Sequence, residues 1–284
     1  MSQNVNQYTP RQYMIKSDFE FFHYKDTPNL VVEYHNHDFY EIYFYISGKV
    51  TYVIEGKSYS LKPGDIILIN NREFHNAIVE PGTVYERYVI WIRPDFLKNL
   101  STSESDLTMC FDSTTRRTYN LLRPGAEMLA HLKTIVLKLE KASKMSGYGH
   151  DILKNIYLQE FIIYLNDAYS DSGDTDIGTD VNYNKKISEI IGYINSNLAN
   201  DLSLDLLSSI IFTSKYHLSR EFKKSTGYTI HHYINKKRLI LARDLLKENI
   251  KVNEVTARCG FGVYTNFIRA FKKEFGVSPK NYHK

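Results

Sequence analysis

Two stretches near the C-terminus share one phrase. Arg220-Glu221-Phe222-Lys223-Lys224 is followed by Gly227, and Arg269-Ala270-Phe271-Lys272-Lys273 by Gly276, at an offset of 49 residues. A period in this range is that of a duplicated supersecondary unit. The flanks stay in register, with Leu218 answering Phe267 and Tyr233 answering Tyr282. Further upstream the offset becomes 48, pairing Leu198 with Leu246, Leu204 with Val252, Leu207 with Val255 and Ser208 with Thr256, so one residue separates the copies at a turn. The chain must therefore build the same small helical unit twice.

Helical spacing and end signals place those units. Ile187, Ile190, Ile191 and Ile194 mark a first helix; Ser203 is the cap expected for a second over 204–211, and Ser214 for a third that stops at Gly227. A long helix over 228–248 leads into a second copy: a short helix over 252–259, a turn at Gly260-Phe261, a basic helix over 263–275, then Gly276 and Ser278-Pro279. A short helix, a tight turn and a second basic helix form a helix-turn-helix, which lays the second helix in the major groove of DNA.

Periodicity divides the residues of each basic helix by task. Leu218 and Phe222 form the buried stripe of the first, turning Lys215, Tyr216, Ser219 and Arg220 outward. Phe267 and Phe271 do the same in the second, leaving Tyr264, Thr265, Asn266, Ile268 and Arg269 on the outer face. Arg220 and Arg269 are the candidates for base contact, since a guanidinium bonds the O6 and N7 edge of guanine bidentately. Lys223, Lys224, Lys272 and Lys273 lie one turn further along, where phosphate is the expected partner, and Lys215 and Asn266 join them.

Charge supports a polyanion partner for this half. From Asn182 onward there are 18 Lys and Arg against 8 Asp and Glu, whereas the preceding residues hold 18 against 24. No apolar run is long enough to span a bilayer, and the opening MSQNVNQYTP lacks the order of a signal peptide, so a cytoplasmic protein without membrane contact is expected. The two cysteines, Cys110 and Cys259, fall in different halves and suggest no disulfide; Cys259 closes an apolar helix face and reads as a small buried hydrophobe.

The first half reads as short strands. Runs at 30–34, 40–46, 50–54, 58–61, 65–69 and 84–92 are separated by Gly48, Glu55-Gly56, Pro63-Gly64 and Pro81-Gly82, which suggests a sandwich or barrel. Helical spacing follows at 126–140 and 151–169, and the polar stretch after Ser170 has no period and reads as a linker. The expected division is a first domain over 1–170, a linker over 171–182 and a DNA-binding domain over 183–284.

Within the strands, His35, His37 and Glu41 differ by even numbers of residues and are followed by Gly48, with His75 standing after Gly64. Even spacing turns all three side chains to one face if the strand is continuous. The pattern resembles that of cupins, in which two histidines, a glutamate and a later histidine converge on one metal. Here Asn70 and Arg72 replace the usual proline and glycine. Three readings stand: a divalent metal held by His35, His37, Glu41 and His75, polar lining of an effector pocket, or structural histidines. As a pocket, these residues would be joined by Tyr43 and Trp91 from an aromatic-rich set that holds 16 of the 23 tyrosines before the linker.

The signature around Glu254, Gly260-Phe261, Phe267, Arg269, Phe271-Lys272-Lys273, Gly276, Ser278-Pro279 and Tyr282 resembles that of the AraC family of bacterial transcription regulators. The resemblance covers about Lys185 to Lys284. It implies an α+β multidomain protein: an N-terminal cupin-like β-barrel with two following helices, then an all-α domain of two helix-turn-helix units joined by a long helix. It also implies base contacts from Tyr216, Ser219, Arg220, Tyr264, Thr265 and Arg269, and double-stranded promoter DNA and RNA polymerase as partners. A sugar or oligosaccharide effector, activation, and a homodimer through the two helices after the barrel complete the family expectation; those helices could equally cover the barrel. The rival from another class is a cupin metalloenzyme carrying a DNA-binding domain. Two departures mark this chain: Phe212 stands where a small residue is common, and Ser208 and Thr256 replace the usual alanine. On that ground the turn of the first unit is expected to differ from the second.

Overall fold

The structure is a computed structural model that describes residues 11–16, 18–27, 33–112, 119–171 and 177–282. The chain divides into two compact units, the first running to Ile54 and from Ser58 to Asn182, the second holding Glu55–Lys57 and the residues from Tyr183 onward.

The first unit contains strands β1 (Phe19–Asp26), β2 (Tyr40–Ser47), β3 (Val50–Ile54), β4 (Lys57–Ser60), β5 (Ile66–Ile69), β6 (His75–Val79), β7 (Tyr85–Ile92), β8 (Leu121–Leu122) and β9 (Val181–Tyr183). They form a five-stranded sheet, ordered β1-β7-β2-β5-β8, and a four-stranded sheet, ordered β6-β3-β4-β9. Helices α1 (Pro94–Leu100), α2 (Ala126–Lys144) and α3 (His150–Asp171) accompany them.

The five-stranded sheet is buried on both faces, which is why its strands read as nearly continuous apolar runs. Ile42, Phe44, Ile66, Leu68, Tyr88, Ile90 and Ile92 pack with Leu132, Ile135, Leu139, Phe161 and Leu165 of α2 and α3. The alternate residues, Tyr43, Tyr45, Ile67, Ile69, Val89 and Trp91, meet Val50, Tyr52, Ile54 and Tyr59 from the four-stranded sheet. The period of two thus sorts one strand between a helical layer and a sheet layer.

Several elements depart from the sequence reading. The run expected at 30–34 lies partly outside the described residues, as do 172–176 of the expected linker. β1, β6 and α1 were not resolved as separate elements by pattern. Ile177 and Val181, read as linker, are 4% and 8% exposed and belong to the core between the sheets. Arg123 fastens that segment, gripping both carboxylate oxygens of Asp65 at 2.8 Å and reaching Asp180 at 2.7 Å.

The second unit is helical: α4 (Lys185–Ser196), α5 (Leu204–Ile210), α6 (Lys215–Thr226), α7 (Ile230–Lys247), α8 (Val252–Arg258) and α9 (Tyr264–Phe275). The side chains of Asn184, Ser203, Ser214 and Thr229 cap α4, α5, α6 and α7 by accepting from backbone N–H groups of the first turn. Lys251 and Val263, the residues before α8 and α9, supply no side-chain cap, so the second copy relies more on packing. Its core joins Leu239, Ala242 and Leu246 of α7 to Val255, Cys259, Phe267 and Phe271. Cys259 is fully buried, and burial pushes its thiol up to about 12.

Candidate functional site

The duplication holds at atomic detail. α5 and α8 are related by an offset of 48 and α6 and α9 by 49, and Gly227 and Gly276 end the latter pair with φ of 74° and 76°. Tyr233 meets Phe222 edge-on with ring centroids 5.3 Å apart, and Tyr282 meets Phe271 edge-on at the same 5.3 Å.

The turns match as well, which corrects the expectation that Phe212 gives the first unit a different geometry. Phe212 and Gly260 both take left-handed backbone, with φ of 49° and 71°. The next N–H, from Thr213 or Phe261, reaches back to the carbonyl of Ser208 at 3.1 Å or Thr256 at 3.2 Å. This is the hydrogen bond that closes a helix end through a left-handed residue. A side chain is tolerated at 212 because it projects into solvent, 94% exposed. At 260 it is not: a Cβ would stand 2.3 Å from the Leu198 carbonyl oxygen and 3.0 Å from the Arg238 guanidinium. Arg238 of α7 is itself committed there, donating to the carbonyls of Leu198 and Asn200 at 2.9 Å each.

The buried stripes are as periodicity requires, with Leu218, Phe222, Phe267 and Phe271 all fully buried. Tyr216, Arg220, Tyr264, Thr265, Asn266 and Arg269 are exposed, and Ser219 is half-buried. Arg220 lies beside the Glu221 carboxylate at 3.3 Å and over the Tyr216 ring. Lys215 is paired with Asp205 across α5 and α6. Lys223, Lys224, Lys272 and Lys273 are exposed and enter no ion pair among the described residues. Tyr216, Ser219, Arg220 and Lys223 line one groove with His231 and Asn235 of α7. Those last two were missed by sequence reasoning, which treated α7 as a joining helix; their spacing of four was the available signal.

In the first unit the six expected pocket residues do come together, by a route other than the expected one. β2 begins only at Tyr40, so the even-spacing argument does not pass through residues 36–39. Instead His35 and His75 form an isolated antiparallel bridge, exchanging backbone hydrogen bonds of 3.1 and 2.9 Å, which sets their rings 4.3 Å apart. His37 stacks on Phe39 with centroids 3.7 Å apart and lies 4.9 Å from the His75 ring. The ligand nitrogens of His35, His37 and His75 all lie within 4.8 Å of one another.

Glu41 is the polar centre of the sheet interior. Its carboxylate accepts from Trp91 Nε1 at 3.0 Å and from the Tyr52 hydroxyl at 3.1 Å, and lies 3.1 Å from His37 Nε2. Burial opposes its charge, but His37 and the neighbouring imidazoles hold the carboxyl well below its usual range. Burial first, then mutual repulsion, pushes His35 and His75 below the usual histidine value. Tyr43 packs on Tyr52 at 4.8 Å, and its buried hydroxyl has no hydrogen-bond partner among the described residues. Of the set, only His35 is more than marginally exposed. Tyr52 was missed as a partner of Glu41, because its place opposite depends on the approach of the other sheet.

Two family models match the chain: one described as an AraC-like ligand binding domain over residues 20–161, the other as a helix-turn-helix domain over 207–284. The HTH-type transcriptional activator RhaS of Salmonella typhimurium is 24% identical over 255 residues, spanning 89% of this chain and 88% of that protein. Among solved structures, ToxT from Vibrio cholerae is 18% identical, covering 94% of this chain and 98% of its own, with a TM-score of 0.35. The DNA-binding domain of AdpA, in complex with a target DNA, is 25% identical over 34% of this chain and 87% of its own, with a TM-score of 0.33.

Proposed function

Because this chain belongs to the AraC family of DNA-binding transcription regulators, we propose that it is an activator that reads promoter DNA with α6 and α9. In this reading its sheet interior takes a small effector. The observation that carries it is the equal presentation of Arg220 and Arg269, each exposed midway between the two buried residues of its stripe, Leu218 and Phe222 or Phe267 and Phe271. Tyr216, Ser219, Tyr264 and Thr265 share base reading with the two arginines. Lys215, Lys223, Lys224, Asn266, Lys272 and Lys273 take phosphate.

The effector is a carbohydrate in this reading, and RNA polymerase is the partner that activation requires. Aromatic rings beside a carboxylate, imidazoles and the Tyr43 hydroxyl provide the mixture of flat apolar and hydrogen-bonding surface that a polyol needs. A homodimer forms through α3, where Ile152, Ile156 and Ile163 make an exposed apolar stripe on one helical face. No described helix is long and apolar enough to cross a membrane.

The test is binding of the full chain to the DNA upstream of its neighbouring genes, against random DNA of the same length, with and without each member of a sugar panel. Specific binding that one sugar alters supports the reading. Equal affinity for both DNAs under every condition sinks it.

A further inference from the structure

We infer that His231 and Lys280 are a matched pair of phosphate contacts, one per helix-turn-helix unit, each holding the DNA strand that flanks its reading helix. The inference rests on the proposed reading of DNA by α6 and α9 and adds to it a contact from outside both helices. Its first ground is the repeat. His231 and Lys280 stand 49 residues apart, the offset of the reading helices, and each lies two residues before the tyrosine that meets a stripe phenylalanine edge-on at 5.3 Å. The backbone enters both places in the same conformation: Thr229 has φ −69° and ψ 150°, and Ser278 has φ −71° and ψ 153°. Ile230 and Pro279 follow, both buried, and the next side chain is exposed in each copy. What these two unlike side chains share is an N–H that donates to an anion.

The second ground is the groove beside α6. Tyr216, Ser219, Arg220 and Lys223 form one wall, and His231 and Asn235 belong to the other. A helix with its side chains is about 10–12 Å across and the major groove of B-DNA about 12 Å wide, so a helix seated there has a sugar–phosphate strand along its flank. The groove between α6 and α7 receives that strand, and His231 meets it from the side opposite Lys223. Asn235 Nδ2 stands 3.3 Å from His231 Nδ1 and 3.2 Å from Nε2. An amide N–H donates to the ring nitrogen that holds the lone pair and leaves the other as an N–H donor, so a neutral imidazole serves the contact. Asp201 also lines the groove, but its carboxylate accepts from the Ser203 N–H at 3.0 Å and hydroxyl at 2.9 Å. Arg238 is held by the carbonyls of Leu198 and Asn200, which leaves the strand to His231 on this wall.

A phosphate contact reads no base. It fixes the register in which Arg220 and Arg269 meet base edges. Loss of either contact therefore weakens binding to every duplex and leaves base preference in place.

The test uses the full chain and a duplex from upstream of its neighbouring genes that the native chain protects from nuclease cleavage. Each phosphate of that duplex is replaced in turn by an uncharged methylphosphonate. The native chain should lose affinity at several positions, His231→Ala should become indifferent to one of them, and Lys280→Ala to another. Each variant should bind the unmodified duplex about tenfold more weakly. Both side chains are exposed, so the variants should keep the native melting temperature. His231→Lys, which gives the first unit the residue of the second, should bind at least as tightly as the native chain. Alanine variants with native affinity and every native methylphosphonate loss overturn the inference, as does a variant whose preferred base changes, which would make that residue a base contact. If Arg269→Ala and Lys272→Ala still weaken binding in that case, the reading helices stand without these contacts. If those two also bind as the native chain does, or no duplex is protected, the DNA reading falls and this inference with it.

Discussion

Phe212 and Gly260 occupy the same left-handed backbone position in the two helix-turn-helix units, one with its side chain in solvent, the other with no room for one. Equal conformation with unequal surroundings separates two costs that are usually confounded. At 212 only the backbone preference acts, and glycine's greater unfolded freedom offsets its relief. Phe212→Gly is expected to change stability by less than about 1 kcal/mol. Gly260→Ala adds a clash with the Leu198 carbonyl and Arg238, and is expected to cost roughly 2–4 kcal/mol. Thermal unfolding of the full-length variants checks both; equal effects would mean that the clash is relieved without cost.

Arg269 and Lys272 lie on one helix but address different parts of DNA in the proposed reading. Arg269→Ala is expected to cost about 1–3 kcal/mol on the specific site and to relax selectivity at one base position. Lys272→Ala should weaken all sequences alike and reduce the salt slope by about one. Fluorescence anisotropy against specific and random duplexes over a salt series distinguishes them. Identical losses from both variants on both duplexes would refute the division.

Ile156 stands 48% exposed at the middle of the α3 stripe, between Ile152 and Ile163. An isoleucine half in water gives little to the fold of a monomer, so Ile156→Glu is expected to leave the melting temperature of the first unit nearly unchanged. It should convert a dimer to a monomer in light scattering after gel filtration. A native chain that is monomeric at every accessible concentration would remove the dimer from the proposal.

Glu86 and Glu140 hold His23 between them, at 3.1 Å to Nε2 and 2.8 Å to Nδ1, and bind Lys25 at 2.9 Å and Lys144 at 2.6 Å. Burial raises both carboxyls, but hydrogen bonds from the lysines and from His23 outweigh it, and the net direction is below the ordinary value of 4.5. A lowered carboxylate contributes stability fully above its unfolded value and loses it as pH falls through the folded one. The first unit should therefore melt at progressively lower temperature as pH drops below 4.5. Glu140→Gln should flatten that dependence, and an unchanged slope in differential scanning calorimetry would show that other groups control it.

The DNA-reading half was almost fully legible because its information is local. Helix ends at Ser203, Ser214 and Gly227, the stripe Leu218 and Phe222, and its repetition at Phe267 and Phe271 all depend on spacings within a few residues. The error there concerned Phe212. Residue type alone suggested an altered turn, whereas an exposed side chain leaves a left-handed turn intact. Ile177 and Val181 failed for the opposite reason. Their polar neighbours signal a linker, and only the sheet edge waiting for β9 draws them into the core.

The sequence alone determined that one helical unit occurs twice, which of its faces is buried, and where its positive charge lies. These follow from a period, and a period survives without knowledge of distant partners. Tertiary structure alone decided the sensor interior. His35 meets His75 through a bridge across forty residues of chain, His37 turns in through an irregular segment, and Tyr52 and Trp91 take Glu41 from two different strands. Even spacing named His35, His37 and Glu41 as a set. Strand register divided that set, joining the two histidines to His75 and leaving Glu41 to its own partners, because sheet pairing is fixed by cross-strand contacts that sequence spacing does not encode.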